Sequence, residues 1–259
     1  MASQKVAVIT GASSGIGWAL AESFAKCSYQ IHLHGLEPKP FLEDRAEFLR
    51  VTYQTDVKTH SVDLSEPESV FHFAEQIRAL SQIDVLVNNA GLQFVAPIEE
   101  FSLKKFNDIL HVHVTASFQL IQAVLPRMRA QKRGRIINMS SVHGLVASKY
   151  KSAYVAAKHA LSGLTKVVAL ETAGSGITCN AVCPGWVRTP LVDKQISDRA
   201  EKSGLSIDAE TELLLAEKQP SLQFTELSQI ADLVQYLASD SAANLTGAQI
   251  PVDGGWVAQ

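Results

Sequence analysis

The chain has 259 residues, of which 46% are hydrophobic, and this is enough for one large buried core. Its net charge of −3 provides no general attraction to nucleic acid or to a membrane surface. Three cysteines are too few for a disulfide framework, and no His/Cys cluster has metal-ligand spacing, so we expect no catalytic metal. The N-terminus lacks a charged and apolar leader, and no run of roughly 18 uncharged apolar residues occurs, so we expect a cytoplasmic chain without a membrane span.

A short strand pattern, Val6-Ala7-Val8-Ile9, opens the chain. It is followed by a glycine-rich turn, residues 10–17, and by a helical pattern from Trp18 onward. Backbone N–H groups at the start of such a helix can bind a pyrophosphate, with Gly11 permitting the tight turn and Gly15 and Gly17 allowing close approach. The order strand, turn, helix favours dinucleotide binding over the alternative of a plain glycine-rich turn.

A second strand pattern, Gln30 to Leu36, ends where the adenosine ribose of a dinucleotide would lie. Folds that bind NAD often place an acid there, whereas this chain has Leu36 followed by Glu37. No Arg or Lys stands at residues 35–37 to bind a 2′-phosphate, and a carboxylate repels one. The sequence therefore predicts NAD rather than NADP.

Strand patterns continue to alternate with helical patterns along the chain, at residues 83–87, 134–139 and 177–182. This alternation predicts an α/β fold, a Rossmann-type doubly wound parallel sheet with helices on both faces, in a single domain over residues 1–259. Gly91, Ser141 and Gly185 each follow a strand, so we expect them to meet at one cleft.

Ser141, Tyr154 and Lys158 form a candidate proton-transfer group. Tyr154 and Lys158 are four residues apart and so lie one turn apart on a helix. A free tyrosine has a pKa near ~10, and an adjacent ammonium is expected to lower it. A Ser141 hydroxyl from the preceding loop can bond the same substrate oxygen, which suits a carbonyl/alcohol pair. A Tyr and a Lys at this spacing are common, so the prediction depends on the glycine-rich turn upstream.

Residues 191–224 interrupt the alternation of strands and helices. The segment is charged and helical in pattern, and it directly follows the loop at residues 184–189. We interpret it as a mobile lid that closes over the substrate and carries Gln195 inward. The alternative is a pair of surface helices that do not move.

With these motifs in order, the chain resembles the short-chain dehydrogenase/reductase family from end to end. The matching segments are the glycine-rich turn, Asp63-Leu64, Asn88-Asn89-Ala90-Gly91, the Ser141, Tyr154 and Lys158 set, and the loop Pro184 to Thr189. The resemblance implies an oxidoreductase with NAD as cofactor, catalysis by Ser141, Tyr154 and Lys158, and assembly as a homotetramer. The cofactor contacts that it implies are Gly11, Ser13, Ser14, Gly15, Ile16, Gly17, Leu36, Asp63, Leu64, Asn89, Gly91, Tyr154, Lys158, Pro184, Gly185, Val187 and Thr189.

One position departs from the family pattern. The family usually carries an asparagine at the position that His113 occupies here, and that asparagine is associated with a water that relays protons to the lysine. His113 retains a backbone carbonyl and has a ring that can donate, so we interpret it as a relay residue. A packed helix histidine is the alternative.

A narrower resemblance, carried by residues 141–148, 151–154, 183–192, 217–224 and 252–256, is to the bacterial 3-hydroxybutyrate dehydrogenases within this family. It implies reversible oxidation of (R)-3-hydroxybutyrate to acetoacetate, with a small hydroxy or keto acid as the only partner besides the cofactor. The substrate pocket that it implies consists of Gln93, His143, Lys151, Trp186, Gln195 and Trp256.

These residue types suit an acidic substrate. A carboxylate removed from water needs a cation and hydrogen bonds, which Lys151, His143 and the two glutamines provide, and two tryptophans leave room for a short chain only. Individually, Lys151 also fits a surface lysine, His143 a loop histidine and Trp186 a core residue.

Two alternative functions stay open for the chain: a family enzyme that acts on another alcohol, and a catalytically silent NAD-binding regulatory protein.

Overall fold

The computed structural model describes residues 4–258, and a parallel β-sheet forms its centre. Within these residues the sheet has seven strands in the order β3-β2-β1-β4-β5-β6-β7, all paired in parallel. The strands are β1 (Val6–Ile9), β2 (Gln30–Gly35), β3 (Val57–Ser61), β4 (Val85–Asn88), β5 (Gly134–Met139), β6 (Ile177–Pro184) and β7 (Gln249–Val252). The predicted doubly wound fold is confirmed.

Helices cover both faces of the sheet. They are α1 (Gly15–Lys26), α2 (Lys39–Tyr53), α3 (Pro67–Arg78), α4 (Leu103–Leu110), α5 (Ala116–Gln131), α6 (Ser152–Thr172), α7 (Pro190–Ser203), α8 (Ile207–Ala216) and α9 (Leu227–Ala238). One buried apolar cluster lies under α1, α2 and α9 and includes Leu20, Leu49 and Val234. A second lies under α3, α5 and α6 on the opposite face and includes Phe73 and Leu120. Burial of this apolar surface stabilises the layers.

The strand order reverses between β1 and β4, and this reversal determines where the cleft lies. β1 pairs with β2 on one side and with β4 on the other, so the loops after β1 and β4 diverge to opposite faces. Ligands bind at such a switch point, beyond the carboxyl ends of the strands. The predicted convergence of Gly91, Ser141 and Gly185 at one edge of the sheet follows from the same topology.

Several predicted boundaries differ slightly from the structure. β2 ends at Gly35, so Leu36 lies beyond the strand. β4 begins at Val85, two residues later than predicted, and the preceding Asp84 carboxylate accepts a hydrogen bond from the Val6 N–H at 2.8 Å. Trp256 lies in a 3₁₀ turn after β7. There the Asp253 carboxylate accepts hydrogen bonds from the N–H groups of Gly255 and Val257 and ends the extended backbone.

The stretch Leu103–Gln131 is the one part of residues 4–258 that is long and apolar enough to span a membrane by length and composition. It comprises α4, a π-helical turn at His111–Thr115, and α5. One face of α5, which includes Leu120 and Val124, is buried in the apolar cluster against the sheet. The stretch is therefore a core helix of this fold.

Candidate active site

The glycine-rich turn between β1 and α1 forms the floor of a cleft at the carboxyl ends of the strands. Gly11 and Gly15 have φ angles of +61° and +53°, a conformation that favours glycine. A Cβ on Gly17 would overlap the Gly11 carbonyl oxygen, so the start of α1 packs directly against the turn. Ser14 makes no side-chain cap, which leaves the first N–H groups of α1 available to a ligand.

Asn89, at the end of β4, fixes this turn from the other side. Its side-chain amide donates to the carbonyl oxygens of Thr10 and Gly11 at 2.9 and 3.0 Å. The backbone N–H groups of Asn89 and Ala90 donate to the Thr10 hydroxyl at 2.9 and 3.0 Å. The loops after β1 and β4 are therefore connected across the switch point.

A cavity of about 390 Å³ runs along these loops. Two of the predicted cofactor contacts, Gly185 and Val187, line a smaller neighbouring cavity instead. The predicted contacts that line the large cavity are Gly11, Ser13, Ser14, Gly15, Ile16, Gly17, Leu36, Asp63, Leu64, Asn89, Gly91, Tyr154, Lys158, Pro184 and Thr189.

The end of this cavity beyond β2 has a carboxylate wall that the sequence analysis only partly anticipated. Leu36 is 67% exposed, and the next residue, Glu37, turns back toward the cavity. Glu37 Oε1 accepts a hydrogen bond from the Ser13 hydroxyl at 2.8 Å, whereas Oε2 is buried without a hydrogen-bond partner among the described residues. Gly35 makes room for this, because a Cβ there would lie 2.6 Å from Oε2.

The smaller cavity, of about 120 Å³, contains every predicted substrate contact. It shares Ile16, Ser140, Tyr154, Pro184 and Thr189 with the large cavity, so the two join beside Tyr154. Its lining includes Gln93, His143, Lys151, Trp186, Gln195 and Trp256, together with Ser141. The structure thus brings together residues from loops, helices and the chain end that are up to 163 positions apart in sequence.

Tyr154 and Lys158 lie in the first turns of α6, where the two cavities meet. Lys158 Nζ donates to the Met139 carbonyl oxygen at 2.7 Å and lies 5.4 Å from the centre of the Tyr154 ring. Burial lowers the pKa of Lys158 to about 7. Burial also raises the pKa of Tyr154 to about 12, and the Ser141 hydroxyl opposes this rise. The expected lowering of the Tyr154 pKa by Lys158 is therefore wrong, because burial of the phenol disfavours its charged form.

His113 lies in the π-helical turn His111–Thr115, packed edge-on against the Tyr154 ring with ring centres 5.4 Å apart. Its Nε2 lies 3.1 Å from the Leu92 nitrogen and 2.9 Å from the Leu92 oxygen, while Nδ1 is buried without a partner among residues 4–258. A Cβ on Gly91 would overlap the ring, so Gly91 makes room for this histidine. Burial, and then the Lys158 charge, lower the His113 pKa to about 3, so the ring is neutral.

The small cavity carries one cation and several unused donors. Lys151 lies over the Trp186 ring at 5.1 Å, and burial lowers its pKa to about 8 although Glu217 opposes the shift. Gln195 Nε2 donates to Gln93 Oε1 at 3.1 Å, which leaves Gln93 Nε2 buried and without a partner in the described chain. Trp186 Nε1 is likewise buried and unpaired there. These donors suit an anionic ligand.

His143 forms the wall between this cation and Tyr154. Its Nδ1 lies 3.3 Å from the Ser141 hydroxyl oxygen, and its Nε2 lies 2.9 Å from that of Ser148. Its ring packs against the rings of both Tyr154 and Trp256. Burial, followed by the Lys151 charge, lowers the His143 pKa to about 3, so this residue contributes hydrogen bonds and no charge.

Gln219 is a site residue to which the sequence analysis gave no role. It is 1% exposed, its Oε1 accepts a hydrogen bond from the Trp186 N–H at 2.9 Å, and its Nε2 donates to the Gln223 carbonyl oxygen. It therefore connects the end of the segment 191–224 to the loop that carries Trp186. The sequence contained no indication of this, because a glutamine between a charged helix and a proline usually lies at the surface.

Comparisons with known proteins agree with this geometry. Residues 5–200 match the family model described as short chain dehydrogenase. The chain belongs to the short-chain dehydrogenase family. It is an oxidoreductase that acts on CH–OH donors. Two relatives named D-beta-hydroxybutyrate dehydrogenase, from Rhizobium meliloti and Cupriavidus necator, are 43% and 42% identical to it, over 98% and 100% of this chain and 99% and 100% of theirs.

Solved structures of other members of the family have the same fold. L-sorbose reductase from Gluconobacter frateurii, solved with NADPH and L-sorbose, has a TM-score of 0.93 and 31% identity, covering 99% of this chain and 98% of its own. Levodione reductase has a TM-score of 0.88 and 30% identity, covering 98% of each chain. Since one of these neighbours holds NADPH, fold similarity alone does not select between the two nicotinamide cofactors.

Proposed function

We propose that this chain catalyses the reversible, NAD-dependent oxidation of (R)-3-hydroxybutyrate to acetoacetate. The observation that carries the proposal is the junction of the two cavities at Tyr154, with all six predicted substrate contacts around the smaller one. The two relatives above 40% identity, both named for hydroxybutyrate, support the same substrate.

The smaller cavity favours a short acid. A volume of about 120 Å³ holds only a small molecule, and Trp186 and Trp256, whose rings are 5.8 Å apart, close its apolar side. The Lys151 ammonium supplies the charge that a buried carboxylate requires, and Gln93 and Trp186 supply N–H groups that lack partners. A carboxylate held at this end directs its C3 hydroxyl toward Tyr154, and this orientation selects one stereoisomer.

Tyr154 is the acid–base residue of the proposed reaction. As phenolate it takes the hydroxyl proton from the substrate oxygen, which Ser141 holds by a hydrogen bond, while the C3–H bond breaks and the C=O bond forms. An oxidised nicotinamide bound in the large cavity would supply the hydride acceptor and a positive charge that favours the phenolate. Lys158, fixed by the Met139 carbonyl, adds a second charge on the same side when it is protonated.

We also assign His113 a place in proton exchange. Its Nδ1 is buried beside Tyr154 and has no hydrogen-bond partner among the described residues. A water bound there would supply the missing partner. The ring is neutral, so it would hold such a water by a hydrogen bond and would not itself take up the proton.

NAD fits the large cavity better than NADP. Glu37, held by Ser13, presents its unpaired Oε2 at the end of β2, where ribose hydroxyls would donate to it and a 2′-phosphate would be repelled. The only Lys or Arg among the described residues that line this cavity is Lys158, which lies at its other end, beside Tyr154.

Three further expectations belong to the same proposal: a homotetramer, a cytoplasmic location, and a lid formed by residues 191–224. In the structure α7 and α8 pack through Val192, Ile196 and Leu214 onto Trp186 and Phe224, next to the small cavity. Limited proteolysis tests the lid. Cleavage within residues 191–224 should slow when NAD and hydroxybutyrate are both present, and unchanged cleavage would leave only a fixed helical pair.

The experiment that tests the function is NADH formation with purified protein, with (R)- and (S)-3-hydroxybutyrate and with NAD and NADP supplied separately. The expected result is turnover with the (R) acid and NAD. Turnover of longer hydroxy acids or neutral alcohols, and not of (R)-3-hydroxybutyrate, would replace the substrate. NADH binding without turnover of any alcohol would favour the silent regulatory protein.

A further inference from the structure

His34, near the end of β2, is a buried histidine that neither the sequence analysis nor the proposed mechanism uses. It is 2% exposed and is one of the residues that line the large cavity. Its ring stacks on Phe73 of α3, with ring centres 5.1 Å apart and an angle of 27° between the planes. Both ring nitrogens have partners, and both partners belong to walls of the cavity.

The two partners determine the tautomer of His34. The Gly11 N–H, which can only donate, lies 3.1 Å from Nδ1, so Nδ1 must accept. The Val62 carbonyl oxygen, which can only accept, lies 3.0 Å from Nε2, so Nε2 must carry the hydrogen. A protonated ring would place an N–H group against the N–H of Gly11. Burial lowers the pKa of His34 to about 4, which keeps the ring in the neutral form that this arrangement needs.

Through these bonds His34 holds two separate segments. On one side, its ring accepts from Gly11 and its backbone carbonyl accepts from the Ala12 N–H at 2.7 Å, so one residue fixes two consecutive positions of the glycine-rich turn. On the other side, it holds the Val62 carbonyl, directly before Asp63 and Leu64, which also line the cavity.

The Gly11 contact extends to the dinucleotide-binding end of α1. Gly17 packs so closely on the Gly11 carbonyl that no side chain fits between them. A shift of Gly11 therefore moves the first turn of α1, whose uncapped N–H groups face the cavity. Loss of the acceptor at Nδ1 would also leave the partly buried Gly11 N–H without its partner, which favours such a shift.

We infer that His34 is a positioning residue for the cofactor: its neutral ring joins the glycine-rich turn to the segment Val62–Leu64, so that the adenosine half of the cavity is formed before the dinucleotide binds. The inference rests on the proposed binding of a nicotinamide dinucleotide in this cavity. It assigns His34 to affinity for the cofactor and not to the chemical step.

Replacing His34 by asparagine or by glutamine tests its two ring hydrogen bonds one at a time. In His34→Asn the side-chain oxygen takes the place of Nδ1 and can accept from Gly11, whereas in His34→Gln the amide reaches only the position of Nε2, toward Val62. His34→Leu removes both bonds. His32, on the same strand and face, provides matched controls, because its ring is also buried but bonds His60 and does not line the cavity in the described chain.

The measurements are the Kd for NADH, from fluorescence titration of the whole protein, and kcat at saturating NAD, with thermal unfolding as a check of folding. We expect the Kd to rise about tenfold or more in His34→Gln and His34→Leu, and to stay within about threefold in His34→Asn. The kcat should stay within about twofold in all three, and His32→Asn and His32→Leu should leave the Kd unchanged.

Three other outcomes would contradict the inference. Equal Kd values in His34→Gln and wild type, with both proteins folded, would overturn the inference while the proposed function stands. An equal rise of Kd in the His32 and His34 variants would reduce His34 to a packing residue. A wild-type protein that bound no NADH would overturn the inference and the proposed function together.

Discussion

The two cavities that meet at Tyr154 are built in different ways. The large cavity is formed mainly by backbone: a turn with two glycines at positive φ, the uncapped start of α1, and carbonyl groups held by Asn89 and His34. The small cavity is formed by long side chains, chiefly Lys151, Trp186 and Trp256, which come from distant parts of the chain.

This difference has a consequence for substitutions. A backbone surface binds what all dinucleotides share, so single side-chain changes there should alter affinity or the choice of cofactor and leave the chemistry intact. A side-chain surface binds what is particular to one substrate, so changes there should alter KM for the acid and leave the cofactor untouched. Tyr154, which lines both cavities, is where the two regions act together.

The largest expected effect is the loss of the acid–base group at the junction. In Tyr154→Phe we expect kcat to fall by about 10³-fold or more, because no other group in reach of the substrate oxygen replaces the phenolate. The Kd for NADH, measured by fluorescence, should change by less than about twofold, because the ring and its packing remain. Tyr150→Phe, at an exposed position four residues earlier, is the control and should behave as wild type. Turnover within tenfold of wild type in Tyr154→Phe would contradict the acid–base assignment.

The next effect belongs to the small cavity. Lys151→Met keeps the apolar stem against Trp186 but removes the charge, so we expect KM for hydroxybutyrate to rise by about 30- to 100-fold, with KM for NAD unchanged. The pKa of Lys151 is about 8, so the ammonium loses its proton as the pH rises above that value. In the wild type, KM for the acid should therefore also rise over this pH range. Steady-state kinetics between neutral and alkaline pH measure both.

Lys149 provides the matched control for this change, since it lies in the same loop and is exposed. Lys149→Met should leave both KM values unchanged. An unchanged KM for hydroxybutyrate in Lys151→Met would remove Lys151 from the carboxylate site, and an equal rise in KM for NAD would show that the two cavities are not independent.

A smaller effect is expected at the carboxylate wall of the large cavity. In Glu37→Gln the Ser13 contact can persist, but the repulsion of a 2′-phosphate is lost, so kcat/KM with NADP should rise by about tenfold relative to NAD. The rise should shrink at high salt, which screens the charge. Glu47→Gln, on α2 and bonded to Arg50, is the control and should leave the ratio as it is. A ratio that did not move in Glu37→Gln would mean that another feature selects the cofactor.

Most of the large cavity could be predicted from the sequence, and the reason is physical. Glycine turns, strand ends and helix starts are local, and a parallel sheet brings consecutive strand ends together whatever the side chains are. The strand predicted at 134–139 has those bounds in the structure, and the glycine-rich turn, Asn89 and Gly91 meet as expected.

The features of the site that the sequence did not predict depend on burial or on contacts between residues that are distant in the chain. The inward turn of Glu37 depends on Ser13, 24 positions away, and on the missing Cβ of Gly35. The raised pKa of Tyr154 depends on how completely α6 is covered, which no spacing of Tyr and Lys reveals. Gln219 and His34 acquire their roles only from partners on other elements.

The smallest expected effect concerns the pH dependence of the free energy of unfolding, to which buried histidines near both cavities contribute. His32 and His34 lie on β2, on the cofactor side, whereas His113 lines the large cavity and His143 the small one near Tyr154. Burial lowers the pKa of His32 and His34 to about 4 and that of His113 and His143 to about 3. Between these values and ~6.5 the unfolded chain binds protons that the folded chain does not. The free energy of unfolding should therefore be highest above pH ~6.5 and should fall as the pH drops toward ~4.

His113→Asn isolates one of these contributions, because asparagine does not titrate and is the residue that the family usually carries at this position. A histidine whose pKa falls from ~6.5 to about 3 on folding contributes roughly 2 kcal/mol to the loss of stability between pH 7 and 5. Urea unfolding at the two pH values should show a loss smaller by that amount in His113→Asn, with kcat at neutral pH largely retained. An identical loss in the two proteins would mean that His113 is already protonated in the folded chain, and a neutral ring could then no longer serve the proton exchange proposed beside Tyr154.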